Sequence, residues 1–137
     1  RYAELRLGDV AVAVLAPETF MNDSGKSVGA CVRDLRLPVD QVIVIYDDIE
    51  LDPGRVRARA GGGLKGHNGL RSLADALGSP DFLRVRCGVG RPGKGDPRYV
   101  AAYVLSAFEA PEDPDALAAE ALRCATAIVA DGWFSCR

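Results

Sequence analysis

Two adjacent carboxylates, Asp47 and Asp48, close the run Val42-Ile43-Val44-Ile45-Tyr46, which reads as a strand buried on both faces. A carboxylate at such a position can orient an imidazole, as the acid of a catalytic triad does. It can equally be a turn aspartate that accepts backbone N–H bonds. A second concentration of chemistry lies at Gly61-Gly62-Gly63-Leu64-Lys65-Gly66-His67-Asn68-Gly69, a loop that carries the only histidine and runs into a helix. Glycine loses more backbone entropy on folding than any other residue, so this density implies positive φ angles or close approach of another molecule. Just upstream, Arg55, Arg57 and Arg59 alternate with Val56, Ala58 and Ala60, which puts three guanidinium groups on one face of a strand. A polar, glycine-dense loop beside a cationic strip suggests a phosphate-bearing partner.

Further side chains admit two roles each. Asn22 and Asn68 follow bulky or ring-bearing residues at loop-to-helix junctions, where an amide caps a helix or holds a ribose hydroxyl, a carbonyl or a water. Phe20 is either core or a platform for an unpaired base, worth about 1–3 kcal/mol per base stacked. A lone loop histidine more often caps, packs or binds than catalyses, and we read His67 as a binding residue. Arg84 and Arg86 share a strand face near the glycine loop and read as phosphate contacts rather than solvated charges. Asp48, Glu50 and Asp52 raise a cation site. With one histidine, no paired cysteines and no complementary cluster, no metal is expected.

The 137 residues, 48% hydrophobic, suffice for one domain with a core of its own. No apolar run approaches a membrane span and no signal-peptide pattern occurs. Cys31, Cys87, Cys124 and Cys136 lack C-x-x-C spacing and are read as reduced, which favours a cytoplasmic setting. The net charge of −2 conceals an uneven distribution, because residues 54–98 hold ten Lys/Arg against three Asp. Local potential, not the chain average, steers a polyanion, although a solvated polar face would carry the same charges.

The elements that must position these groups follow from periodicity. Tyr2–Leu7 and Val10–Leu15 read as a hairpin about Gly8-Asp9. Asp23 or Ser24 can cap a helix with Val28, Val32 and Leu35 on one face, ending near Pro38. Strands are expected at Gln41–Tyr46, Arg55–Ala60 and Phe82–Val89. In the last, Leu83, Val85 and Cys87 face one way while Arg84 and Arg86 face the other. A helix over Asn68–Leu77 closes at Gly78, and Tyr99–Leu105 is a short apolar element of undetermined type. The acidic start at Glu112-Asp113-Pro114-Asp115 opens a helix to about Ala130 with Leu117, Ala121, Cys124 and Ile128 in one stripe. This alternation predicts an α/β protein: a single three-layer domain with a mixed central β-sheet flanked by helices.

Four segments in order resemble bacterial-type peptidyl-tRNA hydrolase: Pro17 to Gly25 (PETFMNDSG), Tyr46 to Gly54 (YDDIELDPG), Gly61 to Ser72 (GGGLKGHNGLRS) and Phe82 to Pro92 (FLRVRCGVGRP). The resemblance spans nearly the whole chain. It implies hydrolysis of the ester between a peptide and tRNA by a cytoplasmic monomer that needs no metal or organic cofactor and has no membrane partner. It further implies that Phe20, Asn22 and Asn68 line the cleft for the tRNA 3′ end. Asp47 would hold the catalytic histidine in its basic form, His67 and Arg86 would line the cleft, and Arg57 and Arg59 would lie near the tRNA backbone.

One part of the family pattern is not found. The family's base is a histidine within a stretch carrying a Gly-Leu-Gly-Asn-Pro-Gly loop and a Thr-Arg-His-Asn motif. Residues 1–137 therefore read as one peptidyl-tRNA hydrolase-like domain without the family's first strand, first helix and C-terminal tail, and inactive or nearly so by itself. A non-catalytic RNA-binding relative of the same fold is the alternative. A third reading has Asp47 and His67 act directly as a hydrolase.

Overall fold

The computed structural model describes residues 1–18, 23–64, 67–91 and 113–131. Phe20, Asn22 and the apolar element expected at Tyr99–Leu105 lie outside the described residues. The chain divides into two compact units, Arg1–Val44 with Ala60–Leu83, and Ile45–Arg59 with Arg84–Arg137.

In the first unit, β1 (Tyr2–Leu7) and β2 (Val10–Leu15) pair antiparallel, with Tyr2 opposite Leu15 and Leu7 opposite Val10. Tyr2, Leu5, Val10 and Val14 remain exposed on this hairpin. Helix α1 (Ser24–Leu35) ends where Arg36 takes a left-handed conformation and Leu37 N–H bonds the Val32 carbonyl. A 3₁₀ turn over Val39–Gln41 then occupies the backbone expected to open the next strand, since Gln41 N–H bonds the Pro38 carbonyl and Val42 N–H bonds that of Val39. Strand β3 consequently runs from Ile43 to Asp48 rather than from Gln41. Helix α2 (Asn68–Leu77) closes at Gly78 as expected, with Leu70 and Leu73 buried.

A three-stranded sheet has the order β3-β5-β4, with β4 at Val56–Ala60 and β5 at Leu83–Gly88, and most of its residues fall in the second unit. Flanking bonds set the directions. Leu83 N–H to Val42 C=O and Val89 N–H to Asp48 C=O run β3 parallel to β5. Gly54 N–H to Gly88 C=O and Gly61 N–H to Phe82 C=O run β4 antiparallel to it. The sheet is mixed and the fold is α/β, as the sequence predicts.

Helix α3 (Pro114–Asp131) begins with the Asp113 carboxylate accepting from Ala116 N–H, and it buries the expected stripe Leu117, Ala121, Cys124 and Ile128. The expectation of a strand buried on both faces fails for β3, where Ile45 is 51% exposed. An apolar run reports composition, whereas burial depends on neighbours, and among the described residues β3 borders the sheet. No helix among the described residues is long and apolar enough to cross a membrane.

Candidate functional site

Within the second unit, the pleat separates the two aspartates. Successive residues of a strand point to opposite faces, so Tyr46 and Asp48 share one face of β3 and Ile45 and Asp47 the other. Asp48 is buried, and its Oδ2 accepts from Arg86 Nε at 2.7 Å while Oδ1 accepts from the Glu50 backbone N–H at 2.8 Å. Arg84, only 1% exposed, lies on the same face as Arg86. Burial and the Asp48 carboxylate raise the Tyr46 phenol above its ordinary pKa, against the lowering influence of Arg84 and Arg86.

These contacts correct the reading of Arg84 as a phosphate contact, since a guanidinium this buried cannot meet a solvent-borne phosphate. Arg86 is 18% exposed at the side chain and bound to Asp48. Removing one partner of so buried a pair typically costs about 3–5 kcal/mol, because the other charge is left uncompensated.

Asp47 projects from the other face, toward Cys87 on β5. Burial raises the Cys87 thiol pKa, and the Asp47 carboxylate adds to the rise. Asp47 and Arg86, expected to line one cleft, therefore stand on opposite faces of the strand pair. Close by, Arg91 pairs with Glu50. Gly88 admits this crossing of chains: a Cβ there would run into the backbone carbonyls of Asp52, Leu51 and Arg55.

Arg55, just before β4, and Arg57 and Arg59 within it face solvent, while Val56 and Ala58 are buried at 6% and 7% exposure. Arg57 Nη1 donates to the Val56 carbonyl at 2.8 Å, which leaves further donors on its guanidinium. Its charge also contributes to the lowered pKa of Glu120, after the hydrogen bond from Arg123.

The first unit places the remaining described residues. His67 stands at the N-cap of α2, and its Nδ1 accepts from Leu70 N–H at 3.2 Å. The capping role considered for Asn68 thus belongs to His67. Asn68 is the first helical residue and is exposed. Gly61 and Gly62, at φ 65° and 106°, adopt backbone that side-chain-bearing residues rarely take.

Asp23 precedes α1 without a side-chain cap; instead Gly25 N–H donates to Ser72 Oγ of α2 at 2.7 Å. A Cβ on Gly25 would collide with the Ser72 carbonyl, and one on Gly29 would stand 3.2 Å from Ala76 Cβ. Because Gly25 meets Ser72 and Gly29 meets Ala76, α1 and α2 run in the same direction and their N-termini share one end of the pair. The entry to α1, which follows Phe20 and Asn22 in sequence, and the His67-Asn68 entry to α2 are thereby brought to the same side. Sequence reasoning missed Ser72, the Asp48–Arg86 pair and the burial of Arg84. Small residues spaced four apart on both helices, Gly25 with Gly29 and Ser72 with Ala76, were the available signal for the first.

Among the described residues, no group of three His, Cys, Asp or Glu side chains is arranged to hold a metal ion. Open α/β sheets act on ligands at the carboxyl ends of parallel strands, and this chain is an α/β protein with its aspartate pair at such an end. The peptidyl-tRNA hydrolase family model matches residues 1–136, and the chain belongs to that family. It is 48% identical over 114 residues to the peptidyl-tRNA hydrolase of Anaeromyxobacter sp. strain K, covering 82% of this chain and 58% of that protein. It is 50% identical over 111 residues to that of Mycobacterium avium strain 104, covering 80% and 56%. The chain thus spans somewhat more than half the length of these relatives. The crystal structure of peptidyl-tRNA hydrolase from Acinetobacter baumannii is similar with TM-score 0.81 at 29% identity, covering 98% of this chain and 66% of that one.

Proposed function

We propose that the protein hydrolyses the ester between a peptide and tRNA, and that residues 1–137 form a single domain supplying the surface for the substrate's tRNA end. Family membership over residues 1–136 is the observation that carries this reading. In it, Asn68 and His67 contact the 3′ end together with Phe20 and Asn22, while Arg57 and Arg59 meet backbone phosphates. Asp47, at the carboxyl end of β3, orients the imidazole that acts as base, while Arg86 braces Asp48 on the other face of the strand.

The chain's single imidazole, His67, supports a base located elsewhere. Its Nδ1 lone pair is used to cap α2, so it serves as a donor to substrate rather than as a proton acceptor. The same reading makes the protein a cytoplasmic monomer acting in ribosome rescue.

The test measures tRNA binding and N-acetyl-aminoacyl-tRNA cleavage with residues 1–137. Binding above that of heparin with negligible ester cleavage is expected. Affinity no greater than for heparin overturns the tRNA reading, whereas rapid turnover overturns the assignment of the base.

A further inference from the structure

We propose that Ser72 is a positioning residue for the tRNA 3′ end, acting by capping α1 from within α2. This rests on the function proposed above. Helix α1 begins with amide groups that need partners, and Asp23, at the N-cap position, supplies no side-chain capping bond. Ser72 Oγ supplies one to Gly25 N–H from a position 47 residues away in sequence.

The bond lies between the second residue of α1 and the fifth of α2, near the N-terminal end of both helices. His67 and Asn68 stand at the entry to α2, and Asp23 stands at the entry to α1. A helix start with its own local cap is set by its own residues. Here the start of α1 is set by α2, so the helix entries at Asp23 and at His67-Asn68 hold one mutual arrangement only while the hydroxyl is in place. Gly25 makes this obligatory, because any side chain there would collide with the Ser72 carbonyl and separate the pair.

The experiment compares two fluorescent RNA hairpins by anisotropy, well below the melting temperature of every variant. One is an acceptor stem with a single-stranded 3′ CCA and the other is the same stem made blunt. Wild-type chain should favour the CCA hairpin. Ser72→Ala should reduce that preference by about tenfold, as displaced positioning groups do, with blunt-hairpin affinity within about twofold of wild type. Hydrogen exchange at the Gly25 amide should accelerate in the same variant. Retention of the CCA preference despite faster Gly25 exchange overturns the positioning role. Equal loss of affinity for both hairpins also overturns it, since that marks general destabilisation. Absence of any CCA preference in the wild type overturns the underlying 3′-end reading and the proposal with it. If Ser72→Ala does not fold, Ser72→Thr, which keeps the acceptor oxygen, must retain the preference; losing it overturns the proposal.

Discussion

Asp47 and Asp48 differ only in which way the pleat sends them, yet their surroundings separate their chemistry. Asp48 accepts from Arg86 and from a backbone amide inside the protein, which is a structural duty. Asp47 lies on the other face and acts on Cys87, adding to the rise that burial imposes on the thiol. The sign of that rise yields a test. A raised folded-state pKa keeps Cys87 protonated, and its contribution to stability is present below the ordinary thiol pKa and lost as pH climbs through the raised value. Asp47→Asn removes one cause of the rise and leaves burial in place. Peptide-resolved alkylation of Cys87 at pH 8 should therefore be faster in Asp47→Asn than in the wild type, with both normalised to the unfolded chain. An unchanged rate would remove Asp47 from the neighbourhood of Cys87.

At the scale of elements, close approach of backbones decides where the strands and helices meet. Gly88 ends β5 where the turn after β3 returns to start β4, and Asp52, Leu51 and Arg55 all present carbonyls there. Overpacking a well-filled site costs about 1–3 kcal/mol, and backbone carbonyls cannot move aside as a side chain can. Gly88→Ala should therefore destabilise the chain by at least about 3 kcal/mol in urea unfolding. A loss below about 1 kcal/mol would mean that the turn relaxes freely. Periodicity made most elements legible: the hairpin, both ends of α2 and the buried stripe of α3 follow from residue spacing alone. It failed at the start of β3, because the 3₁₀ turn that claims Gln41 and Val42 depends on backbone bonds rather than on hydropathy. Residue type left capping or substrate binding open for the amide of Asn68, and the cap is the imidazole one residue before it.

Charge belongs to the whole molecule, and there the arginine count overstates what a polyanion meets. Of the ten basic residues in 54–98, Arg84 is buried, Arg86 is bound to Asp48 and Arg91 to Glu50. The strip on β4 remains exposed. Neutralising a phosphate releases counterions, so tRNA affinity should fall linearly with salt on logarithmic axes. Arg57→Ala and Arg59→Ala should each flatten that slope by about one, measured by anisotropy across a salt series. Arg84→Gln, which alters a buried cation, should leave the slope of the folded protein unchanged. A slope insensitive to Arg57 and Arg59 would detach the strip from RNA.

Residue types and their spacing determined the family, the α/β alternation and the candidates for chemistry, because hydrophobic period and motif order are local properties of a chain. Tertiary structure alone decided which aspartate is paired internally, which arginines reach solvent, and that α2 rather than Asp23 caps α1. Those outcomes depend on strand register and helix contact between residues distant in sequence, and a shift of one position in a pleat exchanges the two faces.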